Sequence, residues 1–182
     1  AVALAMPGEK LIGEEDPLID PHAVHAGWIA VRKAIAERNA SLFLEVAAAS
    51  VVEGPYEPSP EKAGLRALRN LCLGYVHAAG NPRAAIMIKD QFTNANNLTD
   101  KLAALSMMAN SQTPAKQDMA VDALKAWYNE PLLINKWLTI QATTPSFPGE
   151  PLVLERVKEL IRCPFFSLRN PNNVYALLLG FF

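Results

Sequence analysis

His22 and His25 stand three residues apart, so a helix that carries them puts both imidazoles on one face, and with a third ligand such a pair can hold zinc. The surrounding frame does not supply that ligand. No Glu-x-x-His or His-Glu-x-x-His run is present and neither cysteine lies near, so the pair reads as two polar residues of a first helical turn. His77 follows Cys72 by five residues, which places the two on different helical faces; a thiolate–imidazole pair there would need tertiary contacts that the sequence does not display. Ser106, Ser111 and Ser167 sit in no Gly-x-Ser-x-Gly frame, and Gly54, Gly74 and Gly80 form no phosphate loop. Glu14-Glu15-Asp16 and the Asp118–Asp122 pair read as solvated acids. The Met and Trp residues recur at helical spacing, as core residues do. On its residues alone, the chain is expected to be a helical piece without a catalytic centre of its own.

The bulk composition agrees with a globular chain. It has 182 residues, of which 51% are hydrophobic and 19% charged, with a net charge of −1. That balance, with no basic cluster longer than two residues, points away from nucleic acid and from an anionic membrane surface. No apolar run approaches the ~20 residues of a spanning helix. The opening AVALAMPGEKLIGEED lacks a basic start and is not read as a signal peptide. Cys72 and Cys163 lie among apolar neighbours, which suits two reduced, buried thiols of an intracellular protein. The chain starts at Ala1 without Met and stops on Leu177-Leu178-Leu179-Gly180-Phe181-Phe182, so a piece cut from a longer protein is expected.

Proline punctuates the helices that must position any site. Asp20-Pro21, Ser59-Pro60, Asn81-Pro82, Thr113-Pro114 and Asn170-Pro171 each pair a capping residue with a proline suited to the first helical position. On the helix that follows Pro21, Val24, Trp28, Val31 and Ile35 make one apolar face. After Pro60, Leu65, Leu68, Cys72, Tyr75 and Val76 face one way, with Arg66, Arg69 and Asn70 elsewhere. Gln91 to Ser106 reads as a helix end, a polar corner of three asparagines, and a new helix capped by Asn97 or Thr99 with Asp100 in its first turn. Further helices are predicted from 40 to 52, 82 to 93, 114 to 128, 132 to 142, 152 to 163 and 171 to 182. No strand pair emerges. About nine helices joined by short loops describe an all-α chain, an α-solenoid of stacked antiparallel helix pairs of the HEAT or armadillo kind, with a closed bundle as the competing arrangement. Residues 1–20 are expected to be an extension leading in from a preceding domain, and residues 21–182 a helical domain truncated at its C-terminus.

Four blocks carry a resemblance. They are Ala67-Leu68-Arg69-Asn70-Leu71-Cys72-Leu73; Gln91-Phe92 with Ala95 to Asp100 and Leu102 to Ser106; Lys136-Trp137 with Gln141-Ala142-Thr143; and Arg169-Asn170-Pro171-Asn172. In this order the chain resembles the C-terminal helical domain of the bacterial aminopeptidase N family, the zinc-dependent alanyl aminopeptidases of the gluzincin class. The resemblance implies a cytoplasmic parent enzyme that removes N-terminal residues from peptides. Its zinc is held by a His-Glu-x-x-His motif and a distant Glu in a separate catalytic domain of the same polypeptide, none of which exists here. It further implies that this part closes over the active site and limits access to peptides. Some family members place an Arg near the chamber just after the Asn-Pro-Asn block. The matching residue here is Tyr175, which can donate a hydrogen bond or stack but cannot pair with a peptide carboxylate. Asn172 and Asn173 lie beside it, with helix capping as their simpler role. The alternative from a different class is a self-standing helical-repeat module that docks a partner protein; an apolar final helix without a polar cap argues against it.

Overall fold

A computed structural model describes residues 2–14, 18–113 and 115–182. The expectations for Glu15 and Asp16 as solvated acids, and for Pro114 as a helix start, fall outside the described residues. Within them every regular element is helical. A 3₁₀ turn at Val2–Leu4 and a short helix α1 at Glu9–Gly13 precede α2 (Pro21–Arg38), α3 (Ala40–Ala49), α4 (Pro60–Ala78), α5 (Pro82–Asn94) and α6 (Leu98–Ala109). Then come α7 (Ala115–Trp127), α8 (Pro131–Thr143), α9 (Val153–Leu160) and α10 (Pro171–Val174), the last running straight into a π-helical turn at Tyr175–Leu179.

The caps explain the starts. Asp20 accepts hydrogen bonds from the His22 and Ala23 amides at 2.9 and 3.2 Å, Ser59 from Lys62 at 3.3 Å, Asn81 from Arg83 at 2.9 Å and Asn170 from Asn172 at 3.0 Å. Each is the residue before a proline, and each satisfies a donor that the new helix leaves open. Between α4 and α5 the chain turns within three residues. Gly80, at φ 76°, donates to His77 O, and Asn81 N donates to Val76 O. This pair of bonds closes α4 through a left-handed residue that glycine adopts without penalty.

The chain divides into two compact units, residues 1–101 and 102–182. In the first, α4 is the central element: α2, α3 and α5 all pack on it, and Leu73 and Val76 are wholly inaccessible. Burying one such side chain contributes roughly 1.5–3 kcal/mol. Phe43 stacks on Tyr75 with ring centroids 5.0 Å apart. In the second unit α8 has that place, with α7, α9 and the π-helical turn against it. Leu138 and Leu177 are fully buried there, and Phe165 meets Trp137 and Tyr128 edge-on.

The segment before α2 is tied to α2 and α4, because Trp28 Nε1 donates to Pro7 O at 2.9 Å and the Tyr75 hydroxyl to Leu4 O at 2.7 Å. The polar side of α4 is buried as well as its apolar side: Arg66 and Arg69 are only 4% and 9% exposed.

Candidate functional site

The buried arginines lead into the densest polar cluster of the first unit. Arg69 Nε donates to Gln91 Oε1 at 2.8 Å, and its guanidinium also donates to Ala47 O at the end of α3. Gln91 Nε2 donates in turn to Asn70 Oδ1 at 2.7 Å and to the Asp100 carbonyl at 3.0 Å. Asn70 and Asn97 donate to the two carboxylate oxygens of Asp100 at 3.1 and 2.9 Å. The Asp100 amide donates back to Asn97 Oδ1 at 2.9 Å, so Asn97 is the residue that caps α6. Asn96 reaches across to Gly54 O at 2.8 Å and fastens the loop after α3. Burial pulls the Arg69 guanidinium below its ordinary value, while the charges of Asp100 and Asp90 pull it back up.

The corner thus ties four elements, α3 to α6, with side-chain amides, each used at both ends. A cleft of about 310 Å³ opens beside it, lined by residues 51–54, Arg66, Arg69 and the 94–97 corner. Its described lining includes the carboxylates of Glu53, Asp90 and Asp100 but no serine, threonine, cysteine, lysine or histidine. What the arrangement does physically is hold the angle between successive helices, because a satisfied buried network stabilises only one geometry.

The other sequence candidates lie elsewhere. His22 and His25 are exposed on the first turns of α2, where His25 Nδ1 meets both carboxylate oxygens of Glu9 at 3.0 Å. His77 is buried in the last turn of α4. Among the described residues no three His, Cys, Asp or Glu side chains gather to hold a metal ion. Both cysteines are free thiols; Cys72 is buried and Cys163 half-buried, and burial pushes each thiol above its ordinary value. Trp127, Trp137, Met108 and Met119 are core residues.

At the Asn-Pro-Asn block, Asn170 rather than Asn172 or Asn173 caps α10. Asn173 is 4% exposed; its Oδ1 accepts from Ser167 N at 3.0 Å and its Nδ2 donates to Asn135 Oδ1 at 2.7 Å, pinning α10 to α8. Asn172 is exposed, and Tyr175 is 61% exposed at the start of the π-helical turn. Sequence reading did not find the Asn135–Asn173 bond or the burial of Arg66. The only signal for Arg66 was its spacing of three from Arg69, which puts both on one face of α4.

The chain was compared with known proteins. A domain family described as a domain of unknown function (DUF3458_C) with ARM repeats matches residues 1–182. Aminopeptidase N of Escherichia coli K12 is 30% identical over 181 residues, which is 100% of this chain and 20% of that protein. Aminopeptidase N of Haemophilus influenzae is 31% identical over 178 residues, 98% of this chain and 20% of that protein. Among solved structures, Legionella pneumophila aminopeptidase A in complex with aspartic acid superposes with a TM-score of 0.83 at 28% identity, over 98% of this chain and 21% of that one. The chain therefore spans about a fifth of the length of the relatives it matches. The stacked helix pairs and the resemblance read from the four sequence blocks are both borne out. The chain belongs to the DUF3458_C family of ARM-repeat domains, and over its whole length it is similar to aminopeptidase N.

Proposed function

We propose that these residues are the non-catalytic helical wall of a zinc-dependent aminopeptidase, closing the chamber in which the parent enzyme removes N-terminal residues from peptides. The observation that carries the reading is full-length similarity to aminopeptidase N from three bacteria, each about five times as long as this chain. The polar corner supports it physically: a wall needs fixed angles between its helices, and here buried side-chain amides set them. The side chains described here do not fit a zinc ion, since no three potential ligands converge. In this reading the metal and the catalytic residues belong to the catalytic domain of the same polypeptide, and no step of the reaction passes through this chain. Asn172 and Tyr175, exposed on one turn, are its candidate contacts with peptide; Asn173, buried beneath them, positions that turn. The family resemblance supports a cytoplasmic parent.

The test is hydrolysis of an alanyl chromogenic substrate by the parent protein and by this chain, with and without added zinc. Activity in the parent alone is expected. Zinc-dependent activity in the isolated chain would overturn the assignment, and an inactive parent would favour the partner-docking module.

A further inference from the structure

The face of α2 that the sequence marks as apolar does not go into the core. Of eighteen residues in α2 only Ala36 is buried. Val24, Trp28, Val31 and Ile35 instead line an open groove of about 810 Å³, completed by the segment 3–7, Phe43 and Tyr75. Val31 is 52% exposed and Leu4 48%.

We propose that this groove seats an apolar helix contributed by the part of the parent polypeptide outside these 182 residues. The inference rests on the reading above, in which the chain is one part of a longer enzyme. Three observations select the occupant. First, every residue that lines the groove is apolar or aromatic, or is glycine, and the polar atoms of Trp28 and Tyr75 are already used on Pro7 O and Leu4 O, so the groove offers apolar surface without a free side-chain hydrogen-bond partner. An occupant that finds few backbone partners must satisfy its own amides, and a helix does so. Second, Arg32 lies over the Trp28 and Tyr75 rings at 5.2 and 5.7 Å and donates to Gly74 O, which fixes the floor before anything docks. Third, about four-fifths of each relative lies outside the matched region, and ARM repeats bury their open faces against neighbouring repeats. A covalently linked helix is present at an effective concentration that a separate partner or second copy has to reach by association.

The experiment is maleimide labelling of the full-length parent, read by mass spectrometry on the peptide that contains α2. Val31→Cys and Ala23→Cys place thiols in the groove; Lys33→Cys places one on another face of the same helix. Both groove positions are expected to label roughly tenfold or more slowly than Lys33→Cys, since a covered thiol reacts only after local opening. The ratio is expected to hold on dilution. Equal rates at all three positions would overturn the proposal, and so would protection that disappears on dilution, which would assign the groove to a second copy. Where one groove variant fails to fold, the other carries the measurement. Aminopeptidase activity is assayed separately, so a protected groove in an inactive parent would refute the functional reading and leave the docking inference standing.

Discussion

Replacing Gln91 by alanine removes three hydrogen bonds at once: one from Arg69 Nε, one to Asn70 Oδ1 and one to the Asp100 carbonyl. Two are between neutral groups and contribute about 1 kcal/mol each, and the guanidinium bond contributes about 2, for a loss of about 4 kcal/mol. Gln91 is 7% exposed, so the groups left behind regain little from water. Urea unfolding followed by far-UV circular dichroism reads this as a lower midpoint with an unchanged slope. Gln91→Glu keeps an acceptor for Arg69 but turns an oxygen towards two other oxygens, and should fall between wild type and Gln91→Ala. A control lies one turn away: Asn94 donates to Asp90 on the surface, and Asn94→Ala should change stability by no more than about 0.5 kcal/mol. In a cycle with Asn70→Ala the two losses should couple by about 1 kcal/mol or more, since both residues belong to one network. A loss under about 1 kcal/mol for Gln91→Ala would refute the argument that this corner holds the helices.

Two further outcomes follow from particular side chains. Tyr175→Arg in the parent should lower KM for short peptides with a free C-terminal carboxylate by roughly two- to fivefold, the size of an exposed ion pair, with an unchanged thermal midpoint; an unchanged KM would remove Tyr175 from the chamber. The Lys116 ammonium donates to both Glu150 oxygens at 2.9 Å and holds that carboxyl below its ordinary range. Because the folded value is depressed, the stabilisation is present above the unfolded carboxyl value and is lost as pH falls through the folded one. Lys116→Met should flatten the acid limb of the stability profile in that window, and an unaltered limb would show that the pair contributes nothing.

Much of the fold was legible because its signals are local. Four of the five proline pairs start helices with the cap that chemistry requires, and Gly80 ends one. These depend on neighbours within four residues, which a sequence displays. The contents of the interior were less legible. Arg66 and Arg69 were placed off the apolar face of α4, and nothing near them in sequence announces the Glu57 carbonyl or the Gln91 side chain that meets them. The face of α2 was read correctly as apolar, but its destination was not, since periodicity says which residues share a side and not what covers it. At the Asn-Pro-Asn block, sequence marked the cap, Asn170, but not the burial of the neighbouring Asn173, whose partner Asn135 lies 38 residues away. The blocks that carried the family resemblance include Arg69, Asn70, Gln91 and Asp100 of one joint, and Asn170 at the start of another helix. They mark how the domain is assembled.

The π-helical turn at Tyr175–Leu179 also acts as a phase shifter. Such a turn holds one residue more than an α-turn, and each residue of an α-helix advances the helix by about 100°. The chain beyond it is therefore rotated relative to the direction that α10 sets. Gly180 then comes so close to α8 that an added Cβ would stand 3.2 Å from the Ala142 Cβ. Deleting a single residue here would keep the helix while turning all that follows to a different azimuth. An insertion or deletion that a loop would absorb is thus transmitted to the contacts of the residues that follow, the approach of Gly180 to α8 among them.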